Sequence, residues 1–88
     1  MRLFVITPTE VALDQEAGYV RAEDSSGAFG IASGHADLLT TLEISVVKWR
    51  DLHNTEHYVA VRGGVLRVSA GQVVEIATRE AVVSDDLG

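Results

Sequence analysis

Ile44-Ser45-Val46-Val47-Lys48-Trp49-Arg50, then Asp51-Leu52-His53-Asn54, then His57-Tyr58-Val59-Ala60-Val61-Arg62 reads as two strands around a hairpin turn. β-Branched and aromatic residues fill both runs, and Asp and Asn supply the turn. Val59 and Val61 share one parity, so the second run buries one face. In the first run the apolar parity shifts from Ile44/Val46 to Val47/Trp49. Such a shift predicts a β-bulge, or a strand that passes from one packed face to another. Gly63-Gly64 is expected to break the second run. Beyond it Leu66 and Val68 alternate in phase, Ala70-Gly71-Gln72 turns, and Val74 and Ile76 return.

The same pattern extends outward on both sides. Leu3-Phe4-Val5-Ile6 is apolar on both parities and reads as a strand buried on both faces, ended by Thr7-Pro8-Thr9. Val11 and Leu13 form a second short strand. Tyr19 to Glu23 alternates with Val20 and Ala22 inward and Arg21 and Glu23 outward. Asp24-Ser25-Ser26-Gly27 has the composition of a turn. From Gly27 to Leu42 runs a Gly-rich loop, within which 36 to 42 reads as a strand or a single helical turn. Ala81-Val82-Val83 is a last short strand. Short strands with turns at this spacing predict an all-β, two-sheet sandwich of short antiparallel strands. Ser84-Asp85-Asp86-Leu87 reads as a helix N-cap and first turn.

Composition narrows the function. The chain has 88 residues, which is one domain. A chain of this size buries only roughly 60% of its unfolded surface. Its 47% hydrophobic content argues for a packed core. Without cysteine it has no disulfide framework and no Cys-based zinc site. The net charge of −6 and the scatter of the seven basic residues argue against nucleic acid and against an anionic membrane surface. No apolar run approaches a membrane span, so direct membrane insertion is not expected. The N-terminal apolar run is too short for a signal peptide, and the expectation is a protein that folds in the cytoplasm.

Few residue groups carry chemistry. Ser33, His35 and Asp37 alternate by two, but triad members come from separate elements, so the trio reads as a polar loop. Gly27, Gly30 and Gly34 lack the lysine of a phosphate loop and the spacing of a dinucleotide fingerprint. Backbone geometry explains them better. His53 and His57 flank a hairpin turn and read as solvated histidines, not metal ligands. Lys48 raises an alternative, a biotin- or lipoate-type carrier domain modified at that lysine, although it precedes the hairpin tip by several residues. Trp49 and Phe29 are either core or partly exposed aromatics, and Phe29 is an interface anchor or a plug that pins its loop.

The run Gly27-Ala28-Phe29-Gly30-Ile31-Ala32-Ser33-Gly34-His35-Ala36-Asp37-Leu38-Leu39-Thr40-Thr41-Leu42 resembles the F-G-I-x-P-G-H-A-P-L-L-T-x-L motif of the epsilon subunit of F-type ATP synthases. Gly63-Gly64-Val65-Leu66-Arg67-Val68 resembles that family's second motif, G-G-x-L-x-V, and Thr7-Pro8, Val46 to Arg50 and Val74 to Ala77 fall in register. Ser33 and Asp37 stand where the family usually has proline, and Ala28 stands where an acidic residue is common. His35-Ala36-Asp37 and Val61-Arg62-Gly63-Gly64 look like an alternate branch of these enzymes, in which some members are thought to move sodium. The resemblance implies a β-sandwich domain over 1–84 and, over 85–88, the start of a truncated C-terminal helical region. It implies a non-catalytic rotor component without cofactor or metal. The implied partners are the gamma subunit, the c-ring and the rest of the ATP synthase, at the cytoplasmic face of the inner (plasma) membrane. The implied gamma contacts are Pro8, His35, Leu38, Leu39, Thr40 and Leu42. The implied ring contacts are Ser26, Gly27, Ala28, Phe29 and Gly30.

Overall fold

The computed structural model describes residues 1–84, and every regular element among them is a strand. In chain order these are β1 (Arg2–Ile6), β2 (Val11–Glu16), β3 (Tyr19–Asp24), β4 (Gly27–Ala32), β5 (Leu38–Arg50), β6 (Glu56–Ser69), β7 (Val73–Ala77) and β8 (Ala81–Ser84). Hydrogen bonding joins them in the order β2-β1-β7-β6-β5-β3-β4, with β8 on β6. All pairs are antiparallel except β1 with β7, which run parallel. Most strands have four to six residues, whereas β5 and β6 have 13 and 14.

These two long strands make the sandwich. They pair without a register break from Leu38↔Val68 to Arg50↔Glu56. Yet the inward parity changes partway along both. Leu42, Leu66 and Val68 point inward on even numbers, whereas Val47, Trp49, Val59 and Val61 point inward on odd numbers. The change falls at Glu43 and at Gly63-Gly64. Each strand therefore serves one layer with its first half and the other layer with its second half. Gly63-Gly64 does not break β6; it bends it. Both glycines have positive φ (70° and 122°), and a Cβ on Gly64 would strike the Ala77 carbonyl oxygen. Only glycine lets β6 turn the corner that close to β7.

One layer holds β2, β1, β7 and the 38–42 and 65–69 halves of the long strands. The other holds β8, the 56–62 and 44–50 halves, β3 and β4. Between them Leu3, Val5, Leu66, Val68, Val74 and Ile76 meet Val20, Ile31, Val47, Trp49, Val59 and Val61, all buried. Burial of each such side chain contributes about 1.5–3 kcal/mol. Val20 and Ala22 face inward as their alternation predicts.

Several sequence expectations need correction. A bulge between Val5 and Ile6 pairs Val5 with Leu13 but Ile6 with Val11. Leu13 therefore faces the core, while Val11 turns to the outer face and is 57% exposed. Phe4 and Ile6 are only half-buried, so β1 is fully buried on one face alone. Ile44 and Val46 both face outward, so the expected transfer between layers is present but begins at Glu43. The stretch from Gly27 to Leu42 is mostly strand: β4, a loop over 33–37, and the first third of β5. Ser84 ends β8 opposite Tyr58. The expected helical start at 85–88 lies outside the described residues.

Candidate docking site

Two places carry the residues singled out above: the β3–β4 tip, and the loop over 33–37 with the outer face beside it. At the tip, Asp24 pairs with Gly27 across the two-residue turn Ser25-Ser26. Asp24 Oδ1 accepts from the Ser26 backbone N–H (2.9 Å) and the Ser26 hydroxyl (2.6 Å). Its Oδ2 accepts from the Thr40 hydroxyl at 2.9 Å, which ties the tip to β5. These bonds, the Ser26 hydroxyl first, hold the Asp24 carboxyl below its ordinary pKa. Ser26, Gly27, Ala28 and Gly30 are exposed. Phe29 lies opposite the buried Ala22 and packs against the core, so it pins the strand from within. A Cβ on Gly30 would collide with the Tyr19 hydroxyl, so glycine there makes room for the Tyr19 ring.

The loop over 33–37 is tied to the β6–β7 turn. Gly34 N–H donates to Gly71 O at 2.8 Å. Gln72 Nε2 donates to Ser33 Oγ at 3.0 Å, and Ala70 N–H donates to Asp37 Oδ1 at 3.0 Å. The two residues that depart from the family's prolines are therefore the two whose side chains bind the neighbouring turn. Hydrogen bonds fix the loop here where proline would otherwise restrict it. The His35 ring is half-buried, with Nδ1 2.7 Å from Ala36 O. Ser33, His35 and Asp37 each use a different partner and make no hydrogen bond with one another, so they do not form a triad.

The structure divides the expected gamma-side residues. Pro8 is exposed and Leu39 is 71% exposed, whereas Leu38 and Thr40 are half-buried. Leu42 is only 4% exposed and faces the core, so its role is packing rather than contact. Pro8 instead borders an apolar hollow with Ile6, Gly64 and Ala77. Across the strands, Val65 pairs with Ala77, Ala77 with Ile6, and Ile6 with Val11. Opposite residues share a face, so these four make a continuous apolar row on the outside of the first layer. Sequence reasoning missed Val65 and Val11. The available signal was the second apolar parity of β1, which marks an apolar outer face.

His57 also needs correction. It is half-buried, stacked on Trp49 with ring centroids 4.4 Å apart, and its Nε2 lies 2.8 Å from Asp51 Oδ2. Asp51 also accepts from the His53 and Thr55 backbone N–H groups. His57 first and Thr55 next hold its carboxyl below the ordinary value. Lys48 sits within β5 opposite Tyr58, not at the hairpin tip that a carrier lysine needs.

Comparison with known proteins agrees with this architecture. A family described as ATP synthase, Delta/Epsilon chain, beta-sandwich domain matches residues 1–84. The ATP synthase epsilon chain 2 of Cereibacter sphaeroides is 46% identical over 88 residues, covering 99% of this chain and 60% of that protein. Its counterpart in Paraburkholderia xenovorans is also 46% identical, covering 99% of this chain and 63% of that one. The chain thus spans less than two thirds of the length of these relatives. A chain from a structure of the Euglena gracilis mitochondrial ATP synthase superposes with a TM-score of 0.86 at 24% identity. That match covers 92% of this chain and 51% of the other, and it shows a shared fold. From residue 1 to residue 84, this chain belongs to the ATP synthase delta/epsilon chain family, as its β-sandwich domain.

Proposed function

We propose that this domain is a non-catalytic part of the central stalk of an F-type ATP synthase. It would join the gamma subunit to the c-ring, so that ion-driven rotation of the ring reaches the catalytic head. The relatives are ATP synthase epsilon chains, and the solved neighbour comes from an assembly that includes the c-ring. The observation that carries the reading is the apolar outer row Val65-Ala77-Ile6-Val11, with Pro8 in the hollow beside Ile6 and Ala77 and Leu39 nearby on the same face. The core is already filled between the layers, so a second apolar face serves a partner. Pro8, His35 and Leu39 are the gamma-side contacts, with Leu38 and Thr40 shaping the strand beneath them. Ser26, Gly27 and Ala28 are the ring-side contacts, with Phe29 and Gly30 setting their position. A part that transmits torque must resist bending, and two layers sharing continuous strands meet that need. The complex sits at the cytoplasmic face of the membrane, with this domain peripheral to it.

Co-purification of the chain with the gamma subunit and ring tests the proposal. Leu39→Glu and Val65→Glu each place a carboxylate in an apolar contact and should weaken gamma binding at least roughly tenfold. Ala28→Lys should weaken ring association alone. Circular dichroism should show each variant folded. Retention of both partners by all three folded variants would refute the assignment.

A further inference from the structure

The outer face of the second layer carries a basic cluster that borders Ala28 and lies away from the apolar outer row. Arg21 pairs with Lys48 across β3 and β5, and Tyr19 pairs with Arg50. Cross-strand partners and i,i+2 neighbours share a face, so all four side chains project to the same side. With Glu56 they line an open hollow of about 500 Å³. Three of the chain's seven basic residues thus converge on one face of a protein with net charge −6.

The cations are not neutralised internally. Ion pairs among the described residues use the Met1 ammonium, Arg2, His57 and Arg62, and none uses Arg21, Lys48 or Arg50. Like charges directly opposite on adjacent strands destabilise a sheet, and Arg21 and Lys48 stand in that relation. Their Cβ atoms are about 5 Å apart at this spacing. Glu56 is the carboxylate of the hollow, and Glu23 lies beyond Arg21 in the adjoining hollow with Ala28 and Val46. Because Glu23 shares that second hollow with Arg21 and Lys48, three cations and two carboxylates leave a local charge of about +1, which still favours a phosphate-bearing anion. Guanidinium groups suit phosphate oxygens as paired donors. The Tyr19 hydroxyl makes no hydrogen bond among the described residues and is a further donor at the rim.

We infer that Tyr19, Arg21, Lys48 and Arg50 form a binding site for a phosphate-bearing anion. The site stands apart from the apolar outer row, and its test needs no partner subunit. Its failure would therefore leave the docking reading intact.

The test is a ¹⁵N–¹H NMR titration of the chain with inorganic phosphate, ionic strength held constant with chloride. Amide shifts should saturate and centre on the four residues. Arg21→Gln and Lys48→Gln, both exposed positions, should each weaken binding roughly three- to tenfold. Arg67→Gln, a basic residue on the other layer, should leave it unchanged. Co-sedimentation with phosphatidic acid vesicles, against phosphatidylcholine controls, separates the sources of the anion. Saturation by free phosphate assigns a soluble phosphate compound. Vesicle capture that Arg21→Gln abolishes, without saturation by free phosphate, assigns a lipid headgroup. Absence of both, or equal weakening by Arg67→Gln, would overturn the inference.

Discussion

Gly64→Ala tests whether the corner in β6 holds the two layers together. The parent glycine has φ 122°, where an L side chain is strained by about 1–3 kcal/mol. The new Cβ would also meet the Ala77 carbonyl oxygen, the Ala77 carbonyl carbon (3.0 Å) and Thr78 Cα (3.0 Å). These are backbone atoms of the neighbouring strand and its end, so no side chain can swing away. Overpacking of this kind adds about 1–3 kcal/mol. Together the two effects reach roughly 2–6 kcal/mol. A domain of this length has only about 4–13 kcal/mol in total. At about 4–8 °C per kcal/mol, the melting temperature should fall by tens of degrees. Gly63→Ala is the internal control. Its φ of 70° is the ordinary left-handed region, and the nearest atom to its Cβ is Leu42 O at 3.4 Å. The cost there is about 1–2 kcal/mol. Urea denaturation followed by circular dichroism measures both. If Gly64→Ala loses no more stability than Gly63→Ala, the close approach of β6 to β7 is not what requires glycine.

Two further outcomes follow from the hydrogen bonds of the loops. Asp37→Ala frees the N–H of Ala70, itself held at φ 55°, and should cost about 0.5–1.5 kcal/mol in urea denaturation, more than Ser33→Ala. Asp24 and Asp51 both have depressed folded pKa values, so their stabilisation is fully present above the unfolded value near ~3.9 and is lost as pH falls through the folded values. Melting temperature should therefore drop as pH falls below about 4, and the drop should shrink in Asp24→Asn and Asp51→Asn.

How much of this is legible in sequence depends on whether an apolar residue has a polar neighbour of opposite parity to mark its face. The alternation in β3 and the paired phases of β6 and β7 marked inward residues correctly because Arg21, Glu23, Arg67 and Glu75 marked the outward ones. Where both parities are apolar, that contrast disappears. Phe4 and Ile6 in β1, and Ile44 and Val46 in β5, therefore look buried by composition, yet Ile44 is 77% exposed. The bulge that turns Val11 outward leaves no mark, because Ala12 suits either face. Gly63-Gly64 has the same ambiguity in the backbone: positive φ ends one strand and bends another, and only the neighbouring β7 decides which. The docking residues followed the same rule. The motif placed Leu39 and Leu42 together, but strand parity puts the first outside and the second in the core. What the sequence lacked was the position of the layer change in β5 and β6 and of the bulge between β1 and β2, and these two facts together determine which apolar residues are left for a partner.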